Sequence, residues 1–286
     1  MELCENMYVI KADGRREELM PRKIEATCLR AGVSRGTARK IAAEIEQSVY
    51  DGITTREIYK MVLKKLDKQE EELRPSYHYR LRKALAEIDS ESFEKFVKEL
   101  MASHGFECDW NKIIRGASVE HQVDVIAKKN SDLFLIECKR HINPHRYCGL
   151  GVVLQVEARL EDIKDSYNKS KNNYNFTRAW VITNTKFSEH AIRYAKAKGM
   201  LLTGWFYPKR MKKSLEAMIE EKNFFPVTIL KTTLAVKRTL LRNGFISLHD
   251  LIITSERTLK KKTGLSEKKT NNLISQARQL LVQNNK

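Results

Sequence analysis

The spacing of apolar residues predicts a small mixed α/β unit at the start of the chain. An apolar run at residues 7–11 is typical of a strand, and Asp13-Gly14 supplies the turn that follows. Three amphipathic helices come next, and Pro75 marks a break before another helix over residues 77–88. The apolar positions of the three helices are Ile24, Cys28 and Leu29 after Pro21, then Ile41, Ile45, Val49 and Tyr50 after a cap at Ser34 or Thr37, then Ile58, Met61, Val62 and Leu66 after a cap at Thr54 or Thr55.

The middle of the chain begins with a helix and a predicted β-hairpin. Asp89 or Ser90 starts the helix, and Gly105 is a suitable stop. Two apolar runs, residues 123–127 and 133–138, are separated by five mostly polar residues, which is typical of a hairpin. The apolar stripe of the helix comprises Phe93, Phe96, Val97, Leu100 and Met101.

The pattern after the hairpin favours a strand–helix–strand unit and then a helical tail. Residues 179–183 and 200–204 are predicted strands, and residues 188–198 are a predicted helix. This order favours a parallel strand pair with a right-handed crossover. From Thr232 onward the pattern is wholly helical, with Pro226 near the boundary.

Two carboxylates and one lysine fall on the predicted hairpin. A loop formed by residues 129–132 would place Asp124 directly opposite Glu137, with both side chains on one face. Lys139 shares that face because side chains two positions apart in a strand point the same way. Two adjacent carboxylates resist ionisation unless a cation compensates them, and carboxylate oxygens suit Mg²⁺. The hairpin therefore predicts a site for metal-assisted hydrolysis at phosphorus, with Lys139 supporting the developing charge.

Composition excludes several classes of protein. The 286 residues are 42% hydrophobic with only 12 Gly and 5 Pro, which argues against a disordered or collagen-like chain and fits two or three domains. No apolar run reaches the ~18 residues of a membrane span, and the first ten residues do not resemble a secretion signal. Five irregularly spaced cysteines argue against a disulfide framework. We expect a reduced, cytoplasmic protein without a membrane partner.

The net charge of +17 is concentrated near the C-terminus. Residues 227–286 carry 12 basic and 3 acidic side chains, a net charge of +9. Such a density of positive charge attracts nucleic acid, although a solvated helical face is the alternative interpretation.

Residues 93–205 resemble the PD-(D/E)xK nuclease superfamily and, most closely, its Mrr-type restriction endonuclease branch. The resemblance implies that Asp124 and Glu137 hold Mg²⁺ and that Glu94 completes or orients the metal site. It further implies that Lys139 assists the attacking water or the transition state. The segments that carry it are Phe93-Glu94, Gly105-Phe106, Val123-Asp124-Val125, Ile136-Glu137-Cys138-Lys139, Val181-Ile182-Thr183 and residues 191–199.

Other interpretations of these residues remain open at the level of sequence. Glu137 and Lys139 could form an ordinary salt bridge on an edge strand, and Glu94 could be a solvated helix charge. A competing metal site is a zinc set, because cysteine and histidine follow one another at short spacing. Its members are Cys138, His141, His145 and Cys148.

Residues 6–87 resemble the ATP-cone, a nucleotide-binding regulatory domain. The resemblance is carried by the segment from Val9 to Arg15, by Lys23-Ile24, and by Thr54-Thr55 with Ile58. It implies that ATP or dATP acts as an allosteric ligand, with lysine and arginine on the phosphates. The implied nucleotide contacts are Val9, Lys11, Arg15 and Lys23.

The basic tail resembles a helix-hairpin-helix module. The resemblance is carried by residues 241–251 and by the segment Thr263-Gly264-Leu265-Ser266 with the two lysines that follow. Gly264 permits a tight turn, and the helix that follows offers backbone N–H groups to a phosphate. The implied DNA contacts are Gly264, Ser266, Lys268 and Lys269. A protein-interaction bundle is the alternative.

Together these features predict a multidomain α/β protein and a Mg²⁺-dependent DNA endonuclease. The expected domains are an ATP-cone of β-hairpin plus helices (1–88), a restriction-endonuclease-like α/β core with a mixed sheet (89–226) and an all-α helix-hairpin-helix (227–286). Double-stranded DNA, an adenine nucleotide and a second copy of the chain are the expected partners. The alternatives are a repair or recombination nuclease for branched DNA, and a nucleotide-responsive DNA-binding regulator with an inactive nuclease fold.

Overall fold

The computed structural model divides the chain into two compact units, residues 1–81 and 82–286. The boundary between them lies within the helix Tyr77–Glu87 (α4). The break predicted at Pro75 lies outside the described residues. The structure describes residues 7–11, 13–30, 33–67, 77–144, 146–208 and 213–283.

The first unit packs helices against a small sheet in which a central strand pairs with one neighbour on each side. The central strand β1 is antiparallel to β2 and parallel to β3. Gly14 makes the turn between β1 and β2 with a positive φ of 84°, as Asp13-Gly14 predicts. The elements are Tyr8–Ile10 (β1), Arg16–Glu18 (β2), Pro21–Arg30 (α1), Arg35–Glu46 (α2), Ile53–Thr54 (β3) and Thr55–Asp67 (α3).

The second helix is shorter than its apolar pattern predicts. Helix α2 ends at Glu46, and Tyr50, predicted on its apolar face, is 58% exposed. The chain turns here because Asp51 and Gly52 both bond to β1: Tyr8 N–H donates to Asp51 Oδ1 (2.8 Å), and Gly52 N–H donates to the Tyr8 carbonyl (2.8 Å). The segment therefore leads into β3, a strand that the sequence did not indicate.

The second unit is built on a mixed five-stranded sheet of order β10-β8-β6-β5-β4. Strands β4, β5 and β6 are antiparallel neighbours, whereas β8 lies parallel to both β6 and β10. A separate short pair, β7 and β9, is also parallel. The strands are Glu107–Arg115 (β4), Glu120–Lys129 (β5), Asp132–Lys139 (β6), Tyr147–Cys148 (β7), Arg178–Thr183 (β8), Lys186–Phe187 (β9) and Leu201–Thr203 (β10).

Helices cover this sheet. Helix α5, Ser90–Ser103, begins with Asp89 as its N-cap and buries the whole predicted apolar stripe against β4, β5 and β6. Helix α6, Leu150–Asn168, and helix α7, Glu189–Ala197, share one apolar cluster with residues of β5, β6 and β8. Helix α7 joins the parallel strands β8 and β10, so the predicted crossover unit is confirmed.

The remaining elements are helical. They are Leu215–Glu221 (α8), a 3₁₀ turn at Val227–Ile229, Leu234–Arg242 (α9), Leu248–Ile253 (α10), Glu256–Thr263 (α11) and Glu267–Gln283 (α12). The helical tail packs against the rest of its unit: Lys237 Nζ lies 2.6 Å from Glu87 Oε2, and Thr228 Oγ1 donates to the Ala84 carbonyl (2.8 Å). No described helix is long and apolar enough to cross a membrane.

The predicted fold class is therefore confirmed. The protein is a multidomain α/β chain with an N-terminal β-hairpin plus helices, a central mixed sheet and a C-terminal helical region. The domain limits at residues 88 and 226 stay predictions.

Candidate active site

The hairpin register brings the two predicted carboxylates together. Strand β5 pairs Val125 with Ile136, and Lys129 with Asp132, which leaves Asn130 and Ser131 as the loop. Asn130 has a positive φ of 54°, the conformation that tight hairpin turns require. Extending the same register by one pair places Asp124 opposite Glu137, and the predicted register is confirmed.

Asp124 lies against the backbone of the neighbouring strand. The Cys138 N–H donates to Asp124 Oδ2 at 2.8 Å, beside Glu137. Burial raises the pKa of Asp124 to about 7, and the negative charges of Glu137 and Glu94 add to that shift. Two carboxylates of strands β5 and β6 thus share one confined region with a third from helix α5.

Glu94 reaches this region from the first turns of helix α5. The Trp110 indole N–H donates to Glu94 Oε2 (3.3 Å), and burial together with Glu137 raises the pKa of Glu94. Lys95 Nζ lies 4.7 Å from the centre of the Trp110 ring on the same side of the molecule. Trp110 belongs to β4, a strand that the sequence analysis did not identify, so its contact with Glu94 was not predicted.

Lys139 is the last residue of β6 and is exposed. Its backbone is fixed by strand β8, since Thr183 Oγ1 donates to the Lys139 carbonyl (2.5 Å). The alternation of side chains puts Lys139 on the face of β6 that carries Glu137. The catalytic roles assigned to Glu94, Asp124, Glu137 and Lys139 stay predictions.

Sequence reasoning missed Arg159. This residue lies on helix α6, and its guanidinium contacts Glu137 Oε2 directly. Its positive charge also lowers the pKa of Asp124, against the larger effect of burial. Arg159 lies one helical turn after Gln155, an exposed residue. Only the tertiary structure shows that helix α6 brings Arg159 next to Glu137.

The donor set fits a magnesium ion. No three His, Cys, Asp or Glu side chains among the described residues are arranged as a complete metal-binding group. Mg²⁺ does not need one, because it keeps several waters and is held by one or two carboxylates together with substrate phosphates. Burial and, to a lesser extent, the charges of Glu137 and Glu94 raise the pKa of Asp124, and a divalent cation would relieve the repulsion among these carboxylates.

The alternative zinc set is not assembled by the residues that the structure describes. His145 lies outside them, and Cys148 is buried, which raises the pKa of its thiol to about 12. Burial also raises the pKa of Cys138 and lowers that of His141. The four cysteines Cys28, Cys108, Cys138 and Cys148 are free thiols.

The first unit brings two of its four predicted nucleotide contacts together. Lys11 Nζ lies 2.9 Å from Glu17 Oε2, and Lys23 contacts the other oxygen of the same carboxylate. Arg15 instead binds Asp13 within the turn (2.8 Å). Val9 is buried in the apolar core of the unit.

The predicted DNA contacts surround the turn between α11 and α12. Gly264 ends helix α11 in the left-handed region, with a φ of 67°, and Ser266 lies immediately before α12. Lys268 and Lys269 are exposed in the first turn of that helix. Lys260 Nζ lies 3.1 Å from Glu267 Oε2, at the start of helix α12.

Three family models match the chain in succession. An ATP cone domain matches residues 7–85, a restriction endonuclease domain of the Mrr catalytic type matches residues 85–204, and an AF1548-like C-terminal domain matches residues 225–281. The order of the first two is the order that the sequence predicts. The third match covers most of the C-terminal helical region and does not assign it a helix-hairpin-helix.

A relative and a solved structure are each similar to about two thirds of the chain. An uncharacterized protein of Archaeoglobus fulgidus is 37% identical over 182 residues, which is 64% of this chain and 98% of the relative. The crystal structure of a protein of unknown function, AF1548, is 35% identical with a TM-score of 0.58 and covers 68% of this chain and 100% of that chain. The chain therefore belongs to the same family as the Archaeoglobus fulgidus protein, and it carries an ATP cone, an Mrr-type restriction endonuclease domain and an AF1548-like C-terminal domain in that order.

Proposed function

We propose that the protein is a Mg²⁺-dependent DNA endonuclease that hydrolyses phosphodiester bonds. The observation that carries this proposal is the meeting of Asp124 and Glu137 across strands β5 and β6, with Glu94 beside them. Such a cluster is costly to keep charged in a folded protein, and a metal site is a function that explains it.

Each residue of the cluster has a separate role in this proposal. Asp124 and Glu137 would hold Mg²⁺, which when bound polarises the phosphate and lowers the pKa of a water molecule. Glu94, fixed by the Trp110 indole, orients the metal site. Lys139, exposed at the strand end, contacts the phosphate oxygens and stabilises the charge that develops on them.

The helical tail would hold double-stranded DNA. The turn at Gly264 and the start of α12 present backbone N–H groups, Ser266 and the ammonium groups of Lys268 and Lys269 to one phosphate strand. Contacts of this kind position DNA without reading bases, so we expect binding that depends weakly on sequence.

The first unit would regulate this activity through ATP or dATP. Lys11, Lys23 and Arg15 supply positive charge for the phosphates, and Val9 lies in the strand beside them. We expect nucleotide binding to change the association of the chain with a second copy or the access of DNA to the nuclease domain.

The function is tested by incubating a plasmid and a branched DNA with the protein and Mg²⁺, with and without ATP. The variant Lys139→Ala removes the proposed ammonium, and Lys128→Ala, an exposed lysine of strand β5, is the matched control. Cleavage by the wild type and Lys128→Ala, but not by Lys139→Ala, supports the endonuclease.

The other outcomes separate the alternatives. DNA binding with no cleavage of either substrate overturns the endonuclease and favours a nucleotide-responsive regulator. Cleavage confined to the branched substrate favours a repair or recombination nuclease.

The DNA-binding role of the tail is tested by its salt dependence. Lys268→Gln with Lys269→Gln should reduce the slope of log affinity against log salt by about 0.9 for each lost phosphate contact. The pair Lys196→Gln and Lys222→Gln, exposed elsewhere in the second unit, is the control. An unchanged slope in the first pair would show that DNA binds elsewhere.

A further inference from the structure

We propose that Arg159 is a displaceable counter-ion of the metal-binding carboxylates, and that DNA phosphate draws it away from Glu137 so that metal binding and DNA binding assist each other. The inference rests on one part of the proposed function, the assignment of Glu137 as a metal ligand, and not on the cleavage of DNA.

The first observation is the position of the guanidinium. Arg159 contacts Glu137 Oε2, one of the two oxygens through which Glu137 would hold a cation. Both side chains are largely covered, with 23% of Arg159 and 16% of Glu137 exposed. A metal ion that binds Glu137 therefore competes with an ion pair that solvent screens only in part.

The second observation is the balance of charge around that pair. The negative charges of Glu137 and Glu94 both act on Asp124, and that of Glu137 also acts on Glu94, whereas the positive charge of Arg159 opposes them at Asp124. The guanidinium thus lowers the net negative charge that would attract a divalent ion. With Arg159 in place, metal binding to the free protein should be weak.

The third observation is the location of Arg159 on its helix. Helix α6 carries the exposed Gln155 one turn before Arg159, and 23% of the Arg159 side chain is itself exposed. Arginine presents a planar fork of N–H donors that matches phosphate as well as carboxylate. A DNA phosphate at the metal site would offer Arg159 an alternative partner.

These observations lead to a thermodynamic coupling. If phosphate releases Glu137 from Arg159, DNA must tighten metal binding, and metal must tighten DNA binding by the same factor. If the salt bridge between Arg159 and Glu137 had only a structural role, its removal would have the opposite effect on metal affinity. Loss of Arg159 would then loosen helix α6 and weaken metal binding.

The experiment is a calorimetric titration of Ca²⁺, a hard cation with oxygen ligands like Mg²⁺, into the full-length protein alone and into its complex with a short DNA duplex. We expect Arg159→Gln to tighten Ca²⁺ binding to the free protein by about fivefold or more, within the usual range of coupling factors. The same substitution should remove most of the tightening that DNA confers on the wild type. Arg193→Gln, an exposed arginine on helix α7, is the matched control and should behave as the wild type.

Unchanged or weaker Ca²⁺ binding by folded Arg159→Gln overturns the inference. If that variant does not fold, Arg159→Lys decides: it keeps a cation beside Glu137 but lacks the fork, so Ca²⁺ affinity without DNA should be retained while the coupling to DNA falls. Retained coupling in Arg159→Lys also overturns the inference. Because the titration measures metal occupancy, a protein that shows the coupling but cleaves no DNA would refute the nuclease and leave the inference standing.

Discussion

The predicted nucleotide site of the first unit is built on basic residues, and the carboxylate cluster of the second unit is built on acidic residues. Both contain the same kind of ion pair. In the first, Lys11 and Lys23 both contact the carboxylate of Glu17. In the second, Glu137 contacts the guanidinium of Arg159. In each region, side chains predicted to hold a ligand are already engaged by a residue that imitates the charge of that ligand.

The two regions differ in exposure. The side chains of Lys11, Lys23 and Glu17 are 29%, 53% and 34% exposed, whereas Glu137 is 16% exposed. Partly exposed ion pairs contribute only ~0–1 kcal/mol each, so a nucleotide bound at these lysines would displace Glu17 at small cost. Burial in the second unit makes uncompensated charge expensive, as the raised pKa of Asp124 shows. Exposure therefore decides how strongly an internal partner competes with a ligand.

The largest expected effect follows from removing one carboxylate of the buried cluster. Asp124→Asn should reduce Mg²⁺-dependent DNA cleavage by about 10²–10³-fold or more, the usual loss when one preorganised electrostatic group is removed. DNA binding should persist, because we propose that the basic tail supplies most of it. Cleavage rates and gel-shift affinities of Asp124→Asn are compared with those of Asp132→Asn, which alters an exposed aspartate of the same hairpin. Equal loss in both variants would contradict the special position of Asp124.

A second prediction tests the effect of burial on a carboxyl group that is not part of the proposed metal site. Glu216 of helix α8 is buried and accepts hydrogen bonds from the Phe206 N–H, and burial raises its pKa from 4.5 to about 7. Between these values the folded protein keeps a proton that the unfolded chain has lost. The free energy of unfolding should therefore decrease as pH rises from 4.5 to 7, by at most about 1.4 kcal/mol per pH unit from this group.

Glu216→Gln should flatten that dependence, measured by urea unfolding across the same pH range. Glu221→Gln, an exposed glutamate of the same helix, is the control and should keep the slope. An identical slope in the wild type and Glu216→Gln would show that burial does not govern this carboxyl group.

The smallest expected effect concerns the exposed region. Glu17→Gln removes the carboxylate that holds Lys11 and Lys23, and it should strengthen ATP binding by about three- to tenfold, which lies within the range for two partly exposed ion pairs. Calorimetry of ATP binding is compared with Glu18→Gln, an exposed neighbour on strand β2. Weaker binding by Glu17→Gln alone would mean that Glu17 orients the lysines for the nucleotide.

Several features of the active site were predictable because local rules govern them. The apolar runs and the short polar loop define the β5–β6 hairpin, and the alternation of side chains then determines that Asp124 and Glu137 share a face. The apolar stripe of helix α5 likewise predicts which of its sides is buried. The sequence also carries a signal for helix α6, because its buried apolar residues recur at helical intervals: Val153, Val156, Leu160 and Ile163. In such a helix Gln155 and Arg159 are one turn apart.

Other features had no adequate local signal. Strand β4 alternates polar and apolar residues only from Glu107 to Trp110, and the alternation ends at Asn111, which has a positive φ of 52°, so the apolar pattern for a strand is short. The indole that holds Glu94 comes from that strand. The early end of α2 depends on bonds from Asp51 and Gly52 to β1, which are distant in sequence.

The amino-acid sequence by itself determined the order of the units, the hairpin with its paired acids, and the family to which the chain belongs, because spacing and side-chain alternation act between near neighbours. Only the tertiary structure decided which groups of opposite charge meet those acids and the lysines of the first unit. Arg159 reaches Glu137 across 22 residues, and the exposure of each charged pair depends on what packs around it. Pairing and burial set the strength of an electrostatic interaction, and both are properties of the folded chain.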